Sequence, residues 1–283
     1  MEYTCPSNKR YCIRQQKMDI MKIGIIGLGA VGTALQRGFE HLNYKVIGHD
    51  INLNTTIKEL IDTEIIYICV STPPTIDGKC DLSAVYSVCK ELDQLQYKGV
   101  VALKSTSEPG TTAKLQLETK LNLTYVPEFL RERCAFEDFI YNHEILVVGT
   151  SDDEAYRVVV KSHGYLPKDV IKVSVTEAEL IKYYCNTYKA MKVVFANAFY
   201  EISKSLDADY NAVRSGFLKH TINQQDYTKV DENFRGYGGM CLPKDTSAIN
   251  SLCKRLNLDI EIFNAIDKDN KLYKTTVPKG MRK

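Results

Sequence analysis

Long apolar runs are missing from this chain of 283 residues: the longest, Ile65 to Val70, falls far short of the roughly 18 residues that a membrane span needs. That absence argues against a membrane partner. Charge of one sign is missing too, since 37 Lys and Arg stand against 35 Asp and Glu for a formal net charge of +2. With no long run of either sign, there is no electrostatic reason to expect nucleic acid. Nine cysteines, at 5, 12, 69, 80, 89, 134, 185, 241 and 253, include no CxxC pair. An odd count without that spacing fits reduced thiols in the cytoplasm and offers zinc no ligand pattern. The first 20 residues lack the apolar middle of a secretory leader and read as a loose N-terminal extension. Internal repeats and low-complexity segments are absent as well.

What is present is ordinary globular composition, 44% hydrophobic and 25% charged, which excludes a wholly disordered or collagen-like chain. At about 150 residues per domain, the length predicts close to two domains. Residues 21–50 read as strand, glycine turn, helix and strand, a single βαβ unit. Further apolar runs at 64–70, 99–103, 123–126 and 145–149 alternate with helical patterns at 82–95 and 111–121. Two prolines, Pro73 and Pro74, stop the run at 64–70 from continuing in a sheet. The fold class expected is α/β, a doubly wound, mainly parallel, Rossmann-like sheet over 21–175 with helices on both faces.

From 176 to 283 the pattern turns helical. Thr176 and Glu179, three apart, have the spacing of a capping box, and no proline or glycine interrupts the chain until Gly216. One long helix to about residue 205 is expected. Its apolar residues, Leu180, Tyr183, Tyr184, Ala190, Val194, Ala198 and Ile202, exceed what one small domain needs, which predicts a homodimer through this helix. Beyond it, 207–235 reads as polar and irregular, 238–245 as a loop rich in glycine, cysteine and proline, and 244–272 as helical again.

Gly27-Leu28-Gly29-Ala30-Val31-Gly32 is a GxGxxG that follows a strand and opens a helix. Gly27 permits the tight turn, Gly29 lets backbone approach a pyrophosphate, and Gly32 lets helix and strand pack closely, with Ala30 and Val31 at the helix N-terminus that faces the phosphates. Asp50 ends the second strand 18 residues after Gly32, where a carboxylate would bind ribose hydroxyls and repel a 2′-phosphate. NAD is therefore expected rather than NADP. A flavin or methyl-donor site can be built on the same turn.

Four further segments do not read as plain fold residues: Lys104-Ser105-Thr106, Pro127 to Glu132, Lys182 with Asn186, and Gly236 to Asp245. The first two directly follow strands, at the sheet edge where ligands bind in open α/β folds. Lys182 and Asn186, four apart on a helix, can converge on one ligand atom, although a solvated helix face has the same spacing. Cys241 lies in a glycine-rich loop that lets a substrate approach closely, which makes it a candidate nucleophile. The other eight cysteines read as buried structural thiols. Glu128 and Glu132 could equally be helix N-terminal acids.

Taken in order, GxGxxG, STPP, KSTSEPGTT, VPEFLRE, AELIKYYCNTYKAMKVVFANAF and GYGGMCLPKD resemble the signature segments of the UDP-glucose/GDP-mannose dehydrogenase family. The resemblance implies oxidation of the C6 alcohol of a nucleotide sugar to a carboxylate by two NAD in turn. UDP-glucose is the leading substrate and GDP-mannose the runner-up. It implies Cys241 as the nucleophile that holds the aldehyde as a thiohemiacetal and then a thioester. Lys182 and Asn186 are implied as donors to the developing oxyanion, Asp245 as the partner that orders water or shuttles protons near Cys241 and Lys182, Glu128 as general base and Thr106 as a water-positioning group. It further implies Thr72, Thr106, Glu132 and Lys244 as NAD contacts, and Phe129, Leu130, Tyr237 and Gly238 as sugar-nucleotide contacts beside Glu128, Lys182, Asn186 and Cys241. Two departures stand out. The family's second nucleotide-binding domain would follow about where Lys283 stands, and the family's arginine before the glycine loop has only Arg235 as a candidate here. A single-step β-hydroxyacid dehydrogenase, which shares a helix-borne lysine and asparagine, is the competing enzyme class, and a nucleotide-binding protein without turnover is the third.

Overall fold

In the computed structural model of the protein, residues 20–220, 230, 235–239 and 241–273 are described. β1 (Lys22–Ile26), α1 (Ala30–His41) and β2 (Lys45–His49) form the first βαβ unit, with Ile23 beside Val46 in parallel register. The chain continues through β3 (Ile65–Ile68), α2 (Ser83–Gln94), β4 (Val100–Leu103), α3 (Thr111–Glu118) and β5 (Asn122–Tyr125). It then adds α4 (Ala135–Tyr141), β6 (Ile145–Gly149), α5 (Asp153–His163) and β7 (Asp169–Val173). The seven strands lie in the order β2-β1-β3-β4-β5-β6-β7, and every neighbouring pair is parallel except β5 with β6.

The sheet is buried on both faces because successive strand side chains alternate and each face meets its own helices. Ile66, Ile68, Val101 and Leu103 pack with Val85, Cys89 and Leu92 of α2 and Leu115 of α3. Their alternates Ile65, Tyr67, Val100 and Ala102 pack with Leu35 and Phe39 of α1, Phe139 of α4, and Ala155 and Val159 of α5. The expected α/β sheet, doubly wound and mainly parallel, is thus present. β7 was not among the expected runs, because its DVIKV is a half-exposed edge strand with two charges in five residues.

α6 (Val175–Ser205) is the expected long helix, with a different cap. Ser174, directly after β7, accepts from the Glu177 N–H, while the Glu177 carboxylate accepts from the Ser174 N–H at 2.7 Å. The capping box is therefore Ser174 with Glu177, not Thr176 with Glu179. Glu179 is fully buried and serves another element. Along α6 the buried positions Val175, Ala178, Glu179, Lys182, Tyr183, Asn186, Thr187 and Ala190 follow helical spacing, so Lys182 and Asn186 lie on the packed face rather than a solvated one. The segment read as irregular begins with a helix, α7 (Tyr210–His220). α8 (Leu242–Arg255) and α9 (Ile262–Asn270) complete the described chain, and α8 packs on α6. Among the described residues, no helix is long and apolar enough to cross a membrane.

Candidate active site

The strand order reverses between β1 and β3, and in open α/β sheets a ligand crevice forms beyond the carboxyl ends of the strands at such a point. Gly27 occupies it with φ of +92°, where an added Cβ would sit 2.8 Å from the Cys69 carbonyl group. At Gly32 a Cβ would lie 1.9 Å from the Gly27 oxygen, so α1 can approach β1 only because this residue is glycine. Gly29 is different: nothing lies within 4 Å of where its Cβ would be. That open space stands before the N-terminus of α1, which has no side-chain cap and no acid in its first turn. An uncapped helix N-terminus behind open space is a fitting cradle for a pyrophosphate.

Asp50 lies just beyond β2. Its carboxylate accepts from the Leu28 N–H at 2.8 Å and the Asn52 N–H at 3.0 Å. Those two donors, the Asn52 amide first, hold its pKa below the usual carboxylate value. A charged group is thus fixed beside the glycine turn, where it suits a diol and opposes a phosphate. The residues present fit a dinucleotide with a free 2′-hydroxyl.

From this cradle a cavity of about 390 Å³ runs to the end of α8. Gly29, Ala30 and Val31 line one end, and Thr72, Thr106, Glu128, Leu130 and Glu132 the walls. Lys182, Cys241 and Lys244 close it on the side of α6 and α8. Lys182 is 5% exposed, and its ammonium donates to the Glu128 backbone oxygen. The Glu128 side chain, 7% exposed, lies 3.4 Å from the Lys104 ammonium and accepts from the Leu130 N–H. Glu128 therefore lies between two buried ammonium groups, Lys104 at its carboxylate and Lys182 at its backbone oxygen, and Lys244, 3.2 Å from the Thr72 hydroxyl, adds a third cation at the rim. The cavity wall favours negative charge on whatever it holds.

Cys241 is the N-cap residue of α8, with Pro243 in the first turn and Asp245 one turn on, donating its N–H to the Cys241 oxygen at 2.9 Å. The Asp245 side chain is fully buried and accepts from the Asn186 amide. The Cys241 thiol faces the cavity, yet the protein packed around it raises its pKa above that of a free thiol. The Lys182 charge opposes that shift most, Lys244 less, while Asp245 and Glu132 reinforce it.

The remaining expected residues lie elsewhere. Asn186 and Asp245 sit behind the cavity as a bonded pair. Phe129, with Leu130, faces a second cavity of about 350 Å³, also lined by Arg131, His143 and Lys189. Tyr237 lines neither cavity: its ring is buried with Ala190 and Ile266, and its backbone N–H and C=O are both held by the Asn270 side chain, at 2.8 and 3.0 Å. Gly238 follows it, half-buried. Arg235 turns to its own chain. It donates to Asn197 at 2.9 Å, pairs with Glu201, and stacks between Tyr200 and Tyr273.

Sequence reasoning gives Lys104 and Lys189 no role of their own and assigns Glu179 only a helix cap that it does not form. Lys104 forms an ion pair with Glu128. Burial, then the Lys182 charge, lowers the pKa of Lys189. For Glu179 a signal existed, since an acid three residues before Lys182 and seven before Asn186 shares their helical face.

Residues 52–164 match the NAD-binding domain model of the UDP-glucose/GDP-mannose dehydrogenase family, and residues 176–272 match its central domain model. The UDP-glucose 6-dehydrogenase of Rickettsia felis is 32% identical over 227 residues, covering 76% of this chain and 49% of that protein. The GDP-mannose 6-dehydrogenase of Pseudomonas aeruginosa is 26% identical over 300 residues, covering 88% of this chain and 68% of that protein. A solved UDP-glucose dehydrogenase from the archaeon Pyrobaculum islandicum superposes with a TM-score of 0.80 at 26% identity, covering 89% of this chain and 68% of that one. The chain thus spans about half the length of the rickettsial relative it matches. It belongs to the UDP-glucose/GDP-mannose dehydrogenase family, with NAD as its cofactor.

Proposed function

We propose that the protein oxidises the C6 alcohol of UDP-glucose to the carboxylate of UDP-glucuronate through a covalent intermediate on Cys241. The observation that carries this reading is one cavity that joins the Gly29–Val31 cradle to Cys241, Lys182, Glu128 and Thr106. Gly29, Ala30, Val31, Asp50, Thr72, Glu132 and Lys244 hold NAD, which when bound takes a hydride in each of two oxidations. The sugar enters over Leu130, with its nucleotide along Phe129.

In the first oxidation the C6 hydroxyl proton passes to a water ordered by Asp245, which Asn186 holds in place, while Lys182 donates to the C6 oxygen as negative charge develops there and hydride leaves C6. After the first oxidation the Cys241 thiolate adds to the C6 aldehyde. The new C–S bond converts C=O to an alkoxide, which takes a proton to become a thiohemiacetal. Loss of hydride from that carbon and of the hydroxyl proton leaves a thioester. Glu128, held by the Leu130 N–H and Lys104, takes a proton from a water placed by Thr106. That water adds to the carbonyl, the C–S bond breaks, and Cys241 is released with the carboxylate. An aldehyde bound this way does not escape between the two oxidations.

The test is NADH formed per UDP-glucose consumed with excess NAD. Two per sugar, lost in Cys241→Ser, is the expected result; one per sugar, unaffected by Cys241→Ser, would select a single-step β-hydroxyacid dehydrogenase. GDP-mannose is the second substrate to try, because the Pseudomonas GDP-mannose 6-dehydrogenase is 26% identical over a match that covers 88% of this chain.

The same reading includes a homodimer. Leu180, Tyr184, Tyr188, Phe195, Phe199 and Ile202 run along one side of α6 at helical spacing and are all exposed, Tyr184 at 76% and Phe195 at 56%. Beside them lies an apolar groove of about 380 Å³ shared with Val213 and Phe217 of α7. A contiguous apolar face of this length on a helix suits a second copy of the chain. The setting proposed is the cytoplasm, supported by seven described cysteines that are all unpaired thiols.

A further inference from the structure

Thr106 lies between two residues that are each tied down. On one side the Ser105 hydroxyl donates to the Val70 oxygen at 2.7 Å and approaches the Ile68 oxygen at 3.3 Å, anchoring the segment to the end of β3. On the other side Ser107, fully buried, donates to Glu179 of α6 at 3.2 Å. Thr106 itself lines the cavity, and among the described residues its hydroxyl has no hydrogen-bond partner.

Glu179 does more than hold Ser107. Its Oε1 also accepts from the Thr112 N–H at 2.9 Å and the Thr112 hydroxyl at 2.6 Å, and its Oε2 accepts from the Gly110 N–H at 2.6 Å. Gly110, the N-cap of α3, has φ of +96° and no side chain with which to cap its own helix. A serine N-cap needs extended backbone, which this left-handed turn does not offer. Here a carboxylate from a helix 69 residues away caps α3 instead, although burial raises its pKa. What the distant acid adds is registration: Glu179 stands one turn before Lys182, so one side chain fixes the Thr106 segment against the helix that carries the oxyanion donor.

We propose that Glu179 is a positioning residue for the hydrolytic half of the reaction, holding Thr106, through Ser107, Gly110 and Thr112, at the spot from which water attacks the Cys241 thioester. This rests on the reading given under Proposed function. Glutamine cannot replace it. With its single carbonyl kept in the place of Oε1, its NH₂ would face the Gly110 N–H, donor against donor, and the segment would be pushed off α6.

The test compares wild type, Glu179→Gln, Thr112→Val and Thr112→Ser. Amide hydrogen exchange of unliganded protein over residues 105–112 should speed up in Glu179→Gln and Thr112→Val but not in Thr112→Ser, with the strands unchanged. With NAD and UDP-glucose, Glu179→Gln should release a burst of two NADH per site. A steady state about tenfold or more below wild type should follow, with an acyl adduct on Cys241 visible by intact mass and NADH affinity within about twofold. Thr112→Val, the milder change, gives the same pattern if Glu179→Gln does not fold. Unchanged exchange over 105–112, or slower turnover with no adduct on Cys241, overturns the proposal. A wild type that reduces no NAD with any nucleotide sugar overturns the active-site reading instead, a result that the exchange arm cannot produce.

Discussion

Replacing Lys182 with methionine removes one ammonium from a buried place where it has two separable duties. It is 5% exposed, donates to the Glu128 oxygen, and is the strongest opponent of the burial that raises the Cys241 pKa. In the proposed role of donor to the oxygen at C6 it would contribute about 3 kcal/mol to the transition state, so kcat should fall about a hundredfold or more. As the cation beside Cys241 it holds the thiol down, so its loss moves the Cys241 pKa further up. The thiolate fraction near neutral pH then falls in the variant. The Glu128 oxygen also loses its donor, which costs about 1–3 kcal/mol of stability. The assay is kcat with UDP-glucose, read beside the pH dependence of alkylation on the peptide that contains Cys241. For the wild type, that alkylation should rise with pH and reach its midpoint above the pH at which a free thiol ionises. In Lys182→Met the midpoint should move to still higher pH. A loss of kcat under about tenfold, or an alkylation profile that does not move, would refute the reasoning about this site.

Asp50→Asn keeps the shape of the side chain but turns an NH₂ toward one of two backbone donors; NAD affinity measured by titration should fall about tenfold, and the preference over NADP should shrink. Phe199→Asp places a charge in the apolar stripe of α6; sedimentation should show the proposed dimer for the wild type and a monomer for the variant. Asn270→Ala removes both hydrogen bonds to the Tyr237 backbone; at about 1 kcal/mol each, thermal unfolding should occur at lower temperature, and Cys241 should be alkylated faster as the glycine loop loosens.

The parts of the fold legible in the sequence are those governed by neighbours along the chain. Gly27 must be glycine because its φ is positive, and Gly32 because its Cβ would meet an oxygen five residues back; both reasons lie within the motif. The βαβ alternation is legible because each strand carries its two-faced apolar pattern within four or five residues. The helix from 175 to 205 is legible because nothing in it breaks a helix. β7 is hidden by its charges, and α7 by the Gly216 in its interior, which reads as a helix breaker.

The site divides along the same line. Cys241 and Asp245 are one turn apart, so their pairing within α8 follows from spacing. Thr176 and Glu179 show how spacing misleads: the pair has the interval of a capping box, but β7 ends at Val173, and the cap falls on Ser174 and Glu177 two residues earlier. Glu179 is thereby free to reach Gly110 and Thr112. Arg235 and Tyr237 miss the cavity for a related reason. Their partners, Asn197 and Asn270, are 38 and 33 residues away, and only the packing of α6 against α9 brings them to the glycine loop. A local motif can therefore specify a candidate cysteine and the helix it precedes, whereas the groups that brace them come from helices whose meeting no short segment encodes. Polar residues on the packed face of α6, such as Glu179, Lys182, Asn186 and Asn197, mark where those braces attach, because burying each of them is unfavourable unless a partner from another element satisfies it.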